Sequence, residues 1–146
     1  MKKHRGKSGI YLIRAEKGLL EDSVWQSCLH DYPTDLLCSI REGLLEKIPG
    51  ITEKFNTRSR YFGYWRGDDK DKLYIYVGKN NLRIDLCISK DDYETEIANA
   101  GFKIQYVNNF QGRVGWLTGW QIPQNMHNID NVIHWINMAF EKNSTL

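Results

Sequence analysis

Cysteine is scarce in this chain of 146 residues, and its few occurrences do not suggest a site. Cys28, Cys38 and Cys87 are odd in number and far apart, which argues against a disulfide framework or a zinc centre. The four histidines are also scattered, with no His-x-x-x-His pair. We therefore expect reduced thiols, no metal and no other cofactor.

Long apolar runs are missing as well. No stretch approaches the roughly 20 residues that a helix needs to cross a bilayer. The first residues, MKKHRGK, are as basic as the start of a signal peptide. However, Arg14, Glu16 and Lys17 interrupt the apolar segment that would have to follow. The sequence therefore predicts a cytoplasmic protein with no membrane partner.

Strong charge of either sign is also lacking. The 20 Lys+Arg and 18 Asp+Glu leave a formal charge of +2. Residues 1–20 carry +5, so the remaining residues carry −3, and attraction to nucleic acid cannot come from the whole surface. The basic residues of that first segment are Lys2, Lys3, Arg5, Lys7, Arg14 and Lys17, against Glu16 alone. Only a local patch could bind nucleic acid.

The apolar pattern is that of an ordinary globular chain, with 41% hydrophobic and 26% charged residues. Apolar residues recur at helical spacing in Pro33–Ile48 and Asn128–Lys142, and less regularly in Glu16–His30 and Asp91–Ala100. We predict a flexible basic tail, residues 1–8, followed by a single α+β domain, residues 9–146.

Strict alternation predicts the strands. In the predicted strand Lys72–Val77, Leu73, Ile75 and Val77 lie on one face, and Tyr74 and Tyr76 lie on the other. In the predicted strand Asn81–Ile88, Leu82, Ile84 and Leu86 lie on one face, and Arg83 and Asp85 lie on the other. The remaining predicted strands are Arg60–Arg66, Phe102–Val107, Val114–Ile122 and, as a short strand or extended arm, Gly9–Ile13. The predicted fold class is α+β, an antiparallel sheet of four to five strands with helices packed on one face. Tyrosine and arginine would lie on the other face.

Catalytic patterns are weak. Gly9-Ile10-Tyr11 and Tyr76-Val77-Gly78 are similar to the two halves of GIY-YIG nucleases, but about 60 residues separate them where that family has a hairpin. A metal-dependent nuclease would need a second carboxylate and a lysine after Asp85, and the next strand has no Asp-x-Lys or Glu-x-Lys. We therefore expect a non-catalytic protein.

Basic and aromatic residues are interleaved in one region that contains no acid, Lys54–Gly67. Guanidinium and ammonium groups neutralise phosphates, and aromatic faces stack on bases. We predict recognition of nucleic acid, DNA or RNA, or of a nucleotide-like anion. Phosphate contacts are assigned to Arg58, Arg60, Lys79 and Arg113, stacking to Tyr74, Tyr76, Trp116 and Trp120, and ligand orientation to Arg83. The alternative is a protein-interaction or regulatory module, with a partner or a second copy on the same face.

Three short motifs follow in order: RYFGYWR at residues 60–66, KNNLR at 79–83 and GWLTG at 115–119. With the helices that flank them, they make Tyr32–Lys142 resemble an uncharacterised prokaryotic domain family described as predicted transport proteins, some of which accompany restriction-type nuclease domains. The layout is also similar to that of MmcQ/YjbR-like domains, small α+β modules proposed to bind DNA. The resemblance implies a binding module without catalytic residues.

Overall fold

The computed structural model describes residues 2–6, 9–14, 19–67, 73–86, 95, 99, 106–110, 113–123 and 129–142. Within these ranges the strands are β1 Lys2–Gly6, β2 Gly9–Arg14, β3 Ile51–Asn56, β4 Tyr61–Arg66, β5 Leu73–Val77, β6 Asn81–Leu86, β7 Tyr106–Phe110 and β8 Arg113–Pro123. The helices are α1 Asp22–Leu29, α2 Asp35–Lys47 and α3 Asp130–Lys142. Thr95 and Asn99 are also helical, and the rest of the predicted Asp91–Ala100 helix lies outside the described residues.

The strands form one antiparallel sheet in the order β1-β2-β3-β4-β5-β6-β8-β7. Sequential neighbours pair from β1 to β6, so the centre of the sheet is a meander, as the alternating pattern predicts. The α+β class and the antiparallel sheet are confirmed. The sheet has more than the expected four to five strands, because β1, β2 and β3 continue the meander on the outer side of β4.

The sequence assigns residues 1–8 to a basic tail, and the structure has an edge strand, β1, within it. Lys2–Gly6 pairs with β2, with His4 opposite Tyr11. Its basic composition suggests a solvated tail, yet lysine-rich edge strands are common because their charge discourages pairing with other molecules. Composition alone does not distinguish the two cases.

The hydrophobic core lies between the helices and one face of the sheet. Leu37, Ile40 and Leu44 of α2 are fully buried, and so are Ile75 and Ile84 of the sheet. Val132, Ile136 and Phe140 of α3 belong to the same cluster. The predicted inward face of β5 and β6 is therefore confirmed, and the predicted helices on one face of the sheet are found there.

The two long helices approach each other at Gly43. A Cβ atom at this position would lie 2.9 Å from Ile133 Cδ1, so the Ile133 side chain would have to move to accommodate a side chain at position 43. Among the described parts of the chain, no helix combines the length and the apolar character required to cross a membrane.

Candidate functional site

Three tyrosines cluster on the sheet face opposite the helices. Tyr61 lies across from Tyr76 in the β4–β5 register, with ring centroids 5.0 Å apart, and its edge meets Tyr74 at 5.3 Å. Gly63 makes room for this packing. A Cβ atom there would lie 2.8 Å from Lys54 Cε and 3.2 Å from Tyr74 Cε1.

Tyr74 does not have the accessible ring that the sequence interpretation assigns to it. It is 5% exposed, and Asp85, opposite it in the register, is 4% exposed. Tyr76 is half-buried, with Tyr61 against its ring and the guanidinium carbon of Arg83 4.0 Å from its centroid. Neither tyrosine therefore offers a bare ring to a base, and Arg83 is the outer layer of the stack.

Arg83 keeps unused hydrogen-bonding capacity. Its side chain is 35% exposed, and its Nε and Nη2 atoms lie 3.5 Å from the two carboxylate oxygens of Asp85. Charge-assisted bonds between these groups are normally about 2.7–2.9 Å long, so this ion pair is loose. A guanidinium carries five N–H donors and has a flat face. Arg83 can therefore donate to a ligand and also provide a stacking surface.

Three exposed cations lie where two hairpins turn at the same end of the sheet. Arg58 and Arg60 are in the loop between β3 and β4, and Lys79 is in the loop between β5 and β6. The two loops touch, because the Val77 N–H donates to the Arg60 carbonyl at 3.0 Å. The spatial proximity of Arg60 and Lys79 follows from the meander.

Arg60 and Lys79 converge on one aromatic ring. The guanidinium carbon of Arg60 lies 5.4 Å from the ring centroid of Tyr32, and Lys79 Nζ lies 5.9 Å from it. Neither cation forms an ion pair with any residue in the described parts of the chain. The neighbouring acid Asp31 is 3.3 Å from His30 Nε2. We call Tyr32, Arg60, Lys79, Tyr76 and Arg83 the hairpin-end site.

The backbone of Arg60 is in the left-handed region, with φ 55°. The Asn56 side chain starts this turn by accepting hydrogen bonds from the Arg58 N–H at 3.0 Å and the Ser59 N–H at 2.8 Å. The Arg60 N–H then donates to the Asn56 carbonyl at 2.9 Å, and the next residue begins β4. A glycine would adopt this conformation at lower cost, so the arginine is not explained by the turn.

Arg60→Gly is therefore expected to be about 1 kcal/mol more stable than Arg60→Ala. Both substitutions remove the contact with Tyr32, so only the backbone preference distinguishes them. Urea unfolding of the two variants, followed by tryptophan fluorescence, measures the difference. Equal stability would show that the loop relaxes out of the left-handed conformation.

The remaining predicted contacts lie on β8, and only their backbone is described. Trp120 lies opposite Ile84 of β6, one position from Gln121, which lies opposite Arg83. On the other side of β8, Trp116 lies opposite Asn108 of β7 and Arg113 lies opposite Phe110. β6 starts at the hairpin end and its Leu86 pairs with Leu117, so Arg113 lies beyond the far end of β6. The strand order therefore separates Arg113 from Arg60 and Lys79. The side chains of Arg113, Trp116 and Trp120 lie outside those described.

A second polar cluster, which the sequence interpretation misses, lies beneath the helices. Glu53 is 0% exposed and accepts hydrogen bonds from Arg41 Nε at 2.9 Å, Arg41 Nη2 at 2.7 Å and the Tyr64 hydroxyl at 2.6 Å. Arg41 also donates to Asp22 at 2.8 Å and to the Leu20 carbonyl. Its guanidinium carbon lies 4.9 Å from the Trp25 ring centroid. This cluster joins α1 and α2 to the sheet and is closed to ligands.

No protein-family model, curated protein or solved structure matches this chain. The resemblance of residues 32–142 to known domain families stays a prediction. The function is therefore inferred from the hairpin-end site.

Proposed function

We propose that this chain is a non-catalytic module that binds single-stranded nucleic acid at the hairpin-end site. Arg60 and Lys79 contact phosphate, and a base stacks on the outer face of the Arg83 guanidinium. This proposal is narrower than the one drawn from sequence, because Tyr74 is buried and Arg113 lies beyond the far end of β6. The proposed setting is the cytoplasm, where the cysteines stay reduced.

One observation carries the proposal: two cations without a described ion-pair partner lie against the same tyrosine ring. Both side chains are exposed, so a phosphate group beside Tyr32 could interact favourably with the two charges at once. The net charge of +2 is small, so such a local concentration is not a by-product of a basic surface. A phosphate group is an anion that this pair of cations could bind.

The Arg83–Tyr76 stack supports a nucleic acid rather than a simple anion. Bases stack on arginine planes as well as on aromatic rings, and such stacking tolerates different sequences. The stack lies near the cations along the chain, because Tyr76 immediately precedes the Val77 whose backbone N–H donates to the Arg60 carbonyl, although the rings of Tyr76 and Tyr32 lie on opposite faces of the sheet. A single strand that passes around the hairpin end could therefore place a phosphate at the cations and a base on Arg83. A duplex would not present its bases in this way.

Binding is tested by fluorescence anisotropy with single-stranded DNA, single-stranded RNA and duplex DNA, each roughly ten nucleotides long, at about 50 mM salt. We expect single strands to bind more tightly than the duplex. The double variant Arg60→Ala, Lys79→Ala should bind single strands at least about tenfold more weakly. It should also reduce the slope of log affinity against log salt by about 0.7, the value for the one phosphate that the two cations share.

Lys47→Ala provides the control for loss of a positive charge outside the site. Lys47 is exposed at the end of α2, at the opposite end of β3 from the hairpin loop. Lys47→Ala removes one charge, so it is compared with the single variants Arg60→Ala and Lys79→Ala. It should leave the affinity and the salt slope nearly unchanged. Absence of binding at about 50 mM salt, or an equal loss with Lys47→Ala, would contradict the proposal. A stable dimer that dissociates on Arg83→Ala would instead indicate a protein-interaction surface.

A further inference from the structure

We propose that Arg60 and Lys79 receive a terminal phosphate of the strand, a phosphomonoester, in preference to an internal phosphodiester. The inference rests on the proposed function and names the group that the cation pair binds. Two features support it. Arg60 and Lys79 are two cations that form no ion pair with the residues that the structure describes, and Tyr32 lies beside both of them.

The charge of the pair matches a terminal phosphate. An internal phosphodiester carries one negative charge, whereas a phosphomonoester carries about −1.5 to −2 at pH 7 and has three acceptor oxygens. Arg60 offers a planar fork of donors, and Lys79 offers a compact point charge. Each can therefore bind different oxygens of the same group. A phosphodiester would leave about one unit of positive charge uncompensated.

The surroundings of the pair favour the end of a strand over its middle. Tyr32 belongs to the connection between α1 and α2, and it packs against the core on the helix side of the sheet. Both cations lie within 5.9 Å of its ring centroid. The stack of Tyr76 and Arg83 is on the opposite face of the sheet. A strand that approaches over Arg83 therefore reaches the cations at the edge of the helix layer, and we expect the strand to end there.

The experiment uses the intact chain and one single-stranded sequence of roughly ten nucleotides with three kinds of end: 5′-hydroxyl, 5′-phosphate and 3′-phosphate. We expect one phosphorylated form to bind about fivefold more tightly than the hydroxyl form at about 50 mM salt. Comparison of the affinities of the 5′-phosphate and 3′-phosphate forms identifies the end of the strand that enters the site. Inorganic phosphate should compete with that form more effectively than with the hydroxyl form.

Single substitutions separate the two parts of the site. Arg60→Ala and Lys79→Ala should each abolish the preference for the phosphorylated end, whereas Arg83→Ala should weaken all three oligonucleotides and preserve the preference. Thermal unfolding of each variant verifies that it is folded. If the three oligonucleotides bind equally well, this inference is wrong while the proposed function stands. If none of them binds, the proposed function is wrong as well.

Discussion

Glu53→Ala is expected to lower the free energy of unfolding by about 3–5 kcal/mol, because it leaves a buried guanidinium without its main partner. Glu53 is fully buried and binds both Nε and Nη2 of Arg41. Burial by itself lowers the pKa of Arg41, but the hydrogen bonds and charge of Glu53 raise it above its usual value. Arg41 therefore stays charged, and urea unfolding of the variant should show the full loss.

The matched control removes both charges together. The double variant Arg41→Met, Glu53→Met leaves no unpaired ion, so it should lose much less stability than the sum of the two single substitutions. The Asp22 side chain, the other partner of Arg41, is 62% exposed. Asp22→Ala should therefore lower the free energy of unfolding by less than about 1 kcal/mol. If the losses at Arg41 and Glu53 simply add, the two side chains are not energetically coupled.

The orientation of β5 and β6 could be predicted from sequence because one face of their sheet is covered. A half-covered antiparallel sheet requires alternation, and Ile75 and Ile84 are buried against the helices while Arg83 faces away from them. Alternation does not say how completely the second face is covered. The burial of Tyr74 depends on the edge of Tyr61 and on the space above Gly63, which only the register brings together.

The buried ion cluster is difficult to predict from sequence, because charged side chains are normally exposed. A usable signal is nevertheless present: Glu53 lies between Ile51 and Phe55 with a spacing of two, which places it on the apolar face of β3. Arg41 likewise lies one turn from Leu37 and Leu44 on the buried side of α2. Two opposite charges at apolar positions of a helix and a strand indicate a buried pair.

The sequence predicts part of the candidate site. Arg60, Lys79 and Arg83 follow from their basic character and from their places at the ends of predicted strands. Tyr32 does not, because it is 28 residues before Arg60 in a connection between helices, and only the packing of α1 and α2 against the sheet brings it to the hairpin loops. Local patterns thus identify the cations, and tertiary contacts determine how they are grouped.

A steep loss of stability is expected above pH 10, and Tyr64→Phe should reduce it. Burial and the negative charge of Glu53 raise the pKa of Tyr64 well above its usual 10.0. Below pH 10 both the folded and the unfolded chain hold this proton, so its contribution is complete there. Above pH 10 the unfolded tyrosine ionises while the folded one does not. Stability should therefore fall by about 1.4 kcal/mol per pH unit until the pH reaches the folded pKa.

Urea unfolding of the native chain and of Tyr64→Phe, measured between about pH 8 and pH 11.5, isolates this contribution from that of all other titrating groups. At pH 8 the variant should be less stable by about 1–2 kcal/mol, because Glu53 loses the hydrogen bond that the hydroxyl donates at 2.6 Å. As the pH rises the difference should shrink and then change sign, since phenylalanine cannot ionise in the unfolded state. Parallel pH profiles would mean that the Tyr64 hydroxyl is not held protonated by its buried contact with Glu53.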